Sequence, residues 1–269
     1  MATRRAACQP PRVRADRDRA TRAAVLADVH GNAVALAAVS EELLAAEPDL
    51  LVFLGDLTWG PLPEETWGLV CALRDSFAER TFFVRGNAER ALSEFRGRPD
   101  EPGRTPRDRW MLAQHSPATL DALEGFSESV IIDVEGLGPA RFCHGSPRCD
   151  EELITPRTPQ RRMRELLAGV PERIFVSAHS HIQFDRVVAS VRSVNPGSIG
   201  MPYQGEPGAY WALLGPDVDL RRTEYDLRLA TSRYRETSDP LAEAVINTLL
   251  EPPTPAEVIG HAEALEFSG

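Results

Sequence analysis

Lysine is absent from the sequence, and all 30 basic residues are arginine. That bias reads as the imprint of a GC-rich coding sequence rather than as a functional signal. Cysteine is sparse, four residues in 269 with no CxxC spacing. This excludes a dense disulfide framework and suits a reducing, cytoplasmic setting. No run approaches 18 apolar residues, so no membrane-spanning helix is expected. The first residues lack the apolar segment of a secretory signal. Histidine is scarce too, with six residues, and their positions carry more information than their number.

What is present is the balance of a globular chain, 42% hydrophobic and 26% charged, long enough to bury a substantial core. Forty acidic residues give a formal net charge of −10. Residues 1–22 hold seven Arg against Asp16 and Asp18, so that segment carries +5 and the remainder −15. So acidic a body repels nucleic-acid backbones at long range, and a long nucleic acid is not the expected partner. A small phosphate ligand held by local charge stays open. Residues 1–22 are expected to be a disordered Arg-rich extension, and 23–269 a single domain. The polar stretch with Pro99, Pro102, Gly103 and Pro106 suggests a small cap over a site at 95–123.

Ala23 to Ala27, Leu50 to Leu54 and Thr81 to Val84 read as short buried strands, with helices at Ala33 to Ala46 and Glu64 to Arg80 between them. Crossovers between continuous apolar strands imply a parallel α/β sheet. Short helices are expected at 109–114 and 117–123, strands at 130–134 and 140–143, and a helix at 159–168. Further strands are expected at 173–177, 184–189, 191–194, 209–214 and 218–227. Two last helices, at 240–250 and 255–265, would cover an outer face.

Polar residues collect where these strands end. Asp28 and His30 follow the first strand, Asp56 the second, Asn87 the third, His144 a later one, and His179 with His181 another. Loops at the carboxyl ends of strands converge over one crevice. Imidazole and carboxylate together select Mn, Fe, Zn, Co or Ni rather than an all-oxygen Mg or Ca cage. Asp28, His30 and His181 can hold one ion, Asn87, His144 and His179 a second, and Asp56 can bridge them at a separation of about 3.5–4 Å. Gly31, Gly55, Gly86 and Gly145 stand beside these positions and permit sharp turns.

Asp28-Val-His30, Gly55-Asp56, Gly86-Asn87-Ala88-Glu89, His144-Gly145 and Ala178-His179-Ser180-His181 follow one another over about 22–215. This order resembles the calcineurin-like metallophosphoesterase superfamily, and Asn195-Pro196-Gly197-Ser198 is similar to its small bacterial and archaeal phosphodiesterase branch. The resemblance implies an α/β fold, a four-layer αββα sandwich of two mixed β-sheets flanked by helices. It implies two divalent ions, Mn²⁺ foremost with Fe, Zn, Co or Ni as alternatives, on the residues named above. It also implies hydrolysis of small phosphodiesters or phosphomonoesters by a water activated between the ions. Two positions depart from the family pattern. Ala88 stands where many members carry a His that donates a proton or clamps the transition state, and Glu89 keeps the acidic position that orients such a His. Ala178 replaces the usual Gly.

Without a His at 88, the leaving group is served by Arg85, Arg90, Arg148 or a metal-bound water, and Arg148 is the expected phosphate contact because its fork of donors matches phosphate oxygens. Asp56, Asn87 and Arg148 are thus the expected catalytic residues. His115 is read mainly as an ordinary helix residue, His261 as surface, Trp59 as packing with base stacking as the alternative, and Cys143 as core. A non-enzymatic interaction scaffold on the same fold is the competing reading, and a homo-oligomer is left open.

Overall fold

The computed structural model describes residues 13–99 and 103–263. Its strands in chain order are β1 (Val13–Ala20), β2 (Ala23–Leu26), β3 (Leu50–Phe53), β4 (Thr81–Phe83), β5 (Ser129–Val134), β6 (Gly138–Cys143), β7 (Ile174–Val176), β8 (Phe184–Val188), β9 (Val191–Asn195), β10 (Ala209–Leu214) and β11 (Val218–Thr223). Its helices are α1 (Ala33–Ala45), α2 (Pro63–Phe77), α3 (Asn87–Gly97), α4 (Pro106–Ala113), α5 (Pro117–Glu124), α6 (Gln160–Leu166), α7 (Leu227–Arg235), α8 (Ala242–Leu250) and α9 (Pro255–Ala262).

The apolar runs β2, β3 and β4 pair in parallel, with Val25 opposite Val52 and Val52 opposite Phe82. The hairpin β10–β11 adds antiparallel strands on the β2 side, giving the order β11-β10-β2-β3-β4. The second sheet, also mixed, runs β1-β5-β6-β7-β9-β8. Val25, Val52 and Leu54 from one sheet meet Val130, Ile132, Phe142 and Val176 from the other in a central apolar layer. On the outer side of the first sheet, Leu26, Leu51, Phe53 and Trp211 pack against Leu36, Val39 and Leu43 of α1 and Val70 of α2. On the outer side of the second, Phe175 and Cys143 pack against Met163 and Leu166 of α6. The result is a four-layer αββα sandwich, α/β in class, with two mixed sheets between helices.

Residues 1–22 differ from expectation. Residues 1–12 lie outside the described residues, but 13–20 are strand β1, parallel to β5 with Arg19 opposite Asp133 and Ala20 opposite Val134. A strand this rich in charge, with Asp16 to Arg19 in succession, suits a sheet edge, where charge discourages pairing with another chain, and β1 is such an edge. Ala20 is fully buried in the central layer.

Two helices stand where none was expected. Ala88, Ala91, Leu92 and Phe95 give α3 a helical apolar spacing. Asp226 starts α7 by accepting a hydrogen bond from Leu229 N at 2.9 Å, which stops β11 at Thr223. The helices α3, α4 and α5 share a small apolar cluster of Leu92, Met111, Leu120 and Leu123 beside the strand ends.

Candidate metal centre

The seven residues singled out at strand ends come together. Asp28 and His30 follow β2, Asp56 follows β3, Asn87 opens α3 after β4, His144 follows β6, and His179 and His181 follow β7. Five of them turn left-handed: Asp28 (φ 51°), His30 (47°), Asp56 (53°), His179 (61°) and His181 (56°). Non-glycine residues rarely adopt this region, and such strain persists only where the surroundings impose it. Here the turns are pinned to one another. Asp28 N donates to Gly55 O and His30 N to Asp56 O, both at 3.0 Å, and Ala178 N donates to His144 O at 2.7 Å. Ala178 itself is not left-handed, so its Cβ is compatible with its backbone.

Two groups of donors result, Asp28 with His30 and His181, and Asp56 with His144 and His179; within each group the ligand atoms lie within 4.8 Å of one another. Asp56 adjoins both: its Oδ2 is 3.8 Å from His30 Nε2 and its Oδ1 3.5 Å from His144 Nε2. Asn87 Oδ1 lies 3.0 Å from His144 Nε2, and His179 Nδ1 lies 3.3 Å from the same nitrogen. Three imidazoles donate Nδ1–H to backbone carbonyls: His30 to Trp59 (3.1 Å), His144 to Leu54 (2.8 Å) and His181 to Met201 (2.7 Å). That fixes the tautomer and aims each Nε2 lone pair inward, the second-sphere pattern of metal-ligating histidines.

The donors fit a cation. His30 Nε2 and His181 Nε2 face each other at 3.1 Å, with both Nδ1 protons committed elsewhere. That spacing is close to the roughly 3.3 Å between nitrogens bound at about 2.0–2.1 Å to one tetrahedral ion. Asp28 Oδ1 is fully buried and has no hydrogen-bond partner, its near neighbour being His181 Nε2 at 3.4 Å, a place that a bound cation would complete. Burial works against the Asp28 and Asp56 charges, but His181 beside one and His144 beside the other more than offset it and hold both carboxyls below their usual range. Burial likewise disfavours imidazolium. At His144 the Asp56 and Asp28 carboxylates overcome it and push the group up to about 10, and at His181 Asp28 also raises it. His179, under burial and the nearby His144 charge, is lowered to about 4, and burial with His181 lowers His30.

A further ring of residues holds the ligand loops. Glu89, buried, has no His to orient; its carboxylate instead accepts from Asp56 N (2.9 Å), Leu57 N (2.8 Å) and Gly86 N (2.8 Å). Burial and the Asp56 charge outweigh these donors and raise it to about 7. Gly86 is required by contact, because a Cβ there would fall 2.1 Å from Asp56 Oδ1. The Asn195–Ser198 segment clamps the other side. Asn195 Nδ2 donates to Ala178 O (2.9 Å) and Ser180 Oγ (3.1 Å), and Ser198 Oγ donates to Asp28 O (2.7 Å).

Above the donors lies a cavity of about 530 Å³. Its floor includes His30, Asp56, Asn87, His179 and His181, and its walls Ala88, Trp59, Phe95, Tyr203 and Val258. Among the described residues no arginine lines it. Arg148, expected over the ions, is paired with Glu152 instead, a carboxylate four residues on in the same loop and itself buried. Arg85 pairs with Glu128 at 2.9 Å, and Arg90 with Asp150 at 2.8 Å. His115 is buried with both ring nitrogens engaged, by Met111 O and Thr58 Oγ1. Cys143 is core, its thiol pushed up to about 12 by burial.

One expectation is corrected at the rim. The last helix does not cover an outer face alone: α9 brings Val258, His261 and Ala262 to the cavity, with His261 exposed as expected and Trp59 packed beside the α3–α5 cluster. Trp59 also lines the cavity, with Phe95 edge-on at 5.7 Å between ring centroids. The signal for α9 lay in Glu263, whose carboxylate accepts from Thr155 Oγ1 (2.6 Å) and Thr158 Oγ1 (2.8 Å) beyond the fourth ligand loop. No local pattern announces such a pairing across a hundred residues.

Comparison with known proteins agrees with this geometry. Residues 22–215 match the calcineurin-like phosphoesterase superfamily domain. No curated protein matches the chain. Among solved structures, a metallophosphoesterase from Sphaerobacter thermophilus is 25% identical with a TM-score of 0.67, covering 86% of this chain and 99% of its own. The hypothetical protein PH1004 from Pyrococcus horikoshii OT3 is 21% identical with a TM-score of 0.74, covering 87% and 99%. With the domain match spanning every one of the seven strand-end donors, the chain belongs to the calcineurin-like phosphoesterase superfamily.

Proposed function

We propose that the protein is a hydrolase of small phosphodiesters or phosphomonoesters that works with two divalent ions. The observation that carries this reading is the pair of buried donor groups, Asp28 with His30 and His181 and Asp56 with His144 and His179, in which Asp28 Oδ1 has no hydrogen-bond partner. Asp28, His30 and His181 would hold one ion, Asn87, His144 and His179 the other, and Asp56 would serve both. When bound, such ions act as Lewis acids toward a phosphoryl oxygen and supply a nucleophile at neutral pH. The imidazole and carboxylate donors suit Mn²⁺, with Fe, Zn, Co or Ni as alternatives.

The chain's own residues do the rest. Carbonyl-anchored imidazoles keep the donors oriented before a substrate arrives. The cavity above receives the ester. Ala88 offers no proton, and no arginine among the described residues lines the cavity, so leaving groups that depart without strong protonation are favoured. Activated aryl esters are therefore expected to react faster than alkyl esters of the same charge. Among the described residues no helix is long and apolar enough to cross a membrane, and Cys71, Cys143 and Cys149 are free thiols, which supports a reducing, cytoplasmic location.

The test is to strip the protein with chelator, reload it with Mn²⁺ and assay an aryl phosphodiester. Hydrolysis that returns with the ion and disappears in Asp56→Asn is the expected result. A complete donor set that binds two ions yet hydrolyses nothing would instead establish the interaction scaffold.

A further inference from the structure

The matched family domain ends at residue 215, yet the wall of the cavity includes Val258 and His261 from α9, forty residues further on. This helix is fixed at both ends. Thr254 and Glu257 form its N-terminal capping box, Pro253 O accepts from Gly205 N at 3.0 Å, and Glu263 accepts from the buried hydroxyls of Thr155 and Thr158. It is therefore a built wall rather than a loose terminus.

The lining has a definite chemistry. Trp59, Phe95, Tyr203 and His261 bring four rings to the space beside the candidate ligands, and Val258 adds aliphatic surface. Tyr203 is held by stacking on His181, 4.7 Å between centroids. Among the described residues that line it, the one carboxylate outside the ligand set is Asp108 of α4, whose Oδ2 accepts from Thr105 N at 2.8 Å. No arginine among the described residues lines the cavity, Arg104 being stacked on the Phe95 ring at 3.6 Å, so a second phosphate or a carboxylate on the substrate would face Asp108 without an arginine in the lining to pair with.

We propose that this cavity is a leaving-group subsite for a planar ring without negative charge, so that the substrates are phosphoesters carrying one phosphate and an uncharged or cationic aromatic group. The proposal rests on the phosphoesterase reading above, which supplies the anchor for the phosphate. Apolar rings in partly buried walls recover the burial of a flat ligand, and offset or edge-on packing suits the Trp59–Phe95 arrangement.

The experiment is calorimetric titration of the Mn²⁺-loaded full chain with three non-hydrolysable probes: methylphosphonate, phenylphosphonate and 4-carboxyphenylphosphonate. Phenylphosphonate is expected to bind about tenfold more tightly than methylphosphonate, the effect of burying most of one ring. The carboxylated probe should lose most of that gain and recover it in Asp108→Asn. Val258→Trp, which fills the cavity, should abolish the preference while the metal content stays at two ions. Equal affinity for the methyl and phenyl probes, or a phenyl preference unchanged in both variants, overturns the subsite and leaves the phosphoesterase reading standing. Failure of all three probes to bind the loaded protein overturns that reading itself.

Discussion

At the scale of single residues, the site is a problem in proton competition. Without ions, His144 and His181 are held above the usual histidine range by Asp56 and Asp28, after burial has pushed the other way. His144, at about 10, therefore carries a proton at neutral pH that a cation must displace, and the raised His181 adds to that competition. Metal loading is expected to release protons near pH 7, and apparent affinity should rise with pH. Calorimetry in buffers of different ionisation enthalpy measures the release, and an affinity independent of pH between 6 and 8 would contradict it. Asp56→Asn should lower hydrolysis by more than about 100-fold, since even the supporting partners of a ligand are worth 10–100-fold. Ser198→Ala touches no ligand side chain but removes one of the two hydrogen bonds that the Asp28 carbonyl accepts, leaving the one from Gly200 N. Metal affinity lower by about tenfold, with an unchanged circular dichroism spectrum, is the expected outcome for that supporting contact.

At the scale of elements, the ligands were legible because each ends a strand. Short apolar runs followed by Asp, Asn or His are local features, and five strand ends at one edge of two sheets meet whatever packs around them. Glu89 was legible as an acid near the site but not in its role, because only the folded loop shows three backbone N–H groups converging on it. Arg148 misled for the same reason: nothing local reveals that Glu152 takes its guanidinium. The cavity wall was illegible, since α9 reaches it through the Thr155 and Thr158 hydroxyls, a contact no periodicity encodes. Gly86→Ala tests the element scale. Its Cβ would collide with Asp56 Oδ1, so metal binding should fall sharply while the sheets, which do not depend on that loop, stay folded. Chelator competition and near-ultraviolet dichroism together separate the two effects.

At the scale of the whole molecule, the Arg-rich start contains a strand whose contribution is measured against a chain truncated to begin at residue 13. Removing 1–22 deletes the edge strand β1, the buried Ala20 and the Arg19 carbonyl that accepts from Arg80 at 2.8 Å. A loss of more than about 4 °C in Tm is expected, the shift that roughly 1–2 kcal/mol produces in a domain of this size. Equal melting of the two truncations would show that β1 contributes nothing to the sheet. The net charge also reads differently once the fold is known. The acidic balance describes the outer surface, whereas two divalent ions on Asp28 and Asp56 would make the floor of the cavity locally positive.

The five left-handed turns at Asp28, His30, Asp56, His179 and His181 carry a last consequence. A site assembled by flexible side chains gathers its donors only when the ion arrives, and the ordering entropy then weakens binding. Here the main chain has already turned each donor inward, and the cost of that ordering was incurred during folding, shared with the sandwich that encloses it. An ion bound there would therefore meet donors already gathered by the main chain. Ion exchange should be a matter of dehydration and proton loss rather than of rearrangement, and the empty and loaded proteins should differ little in backbone.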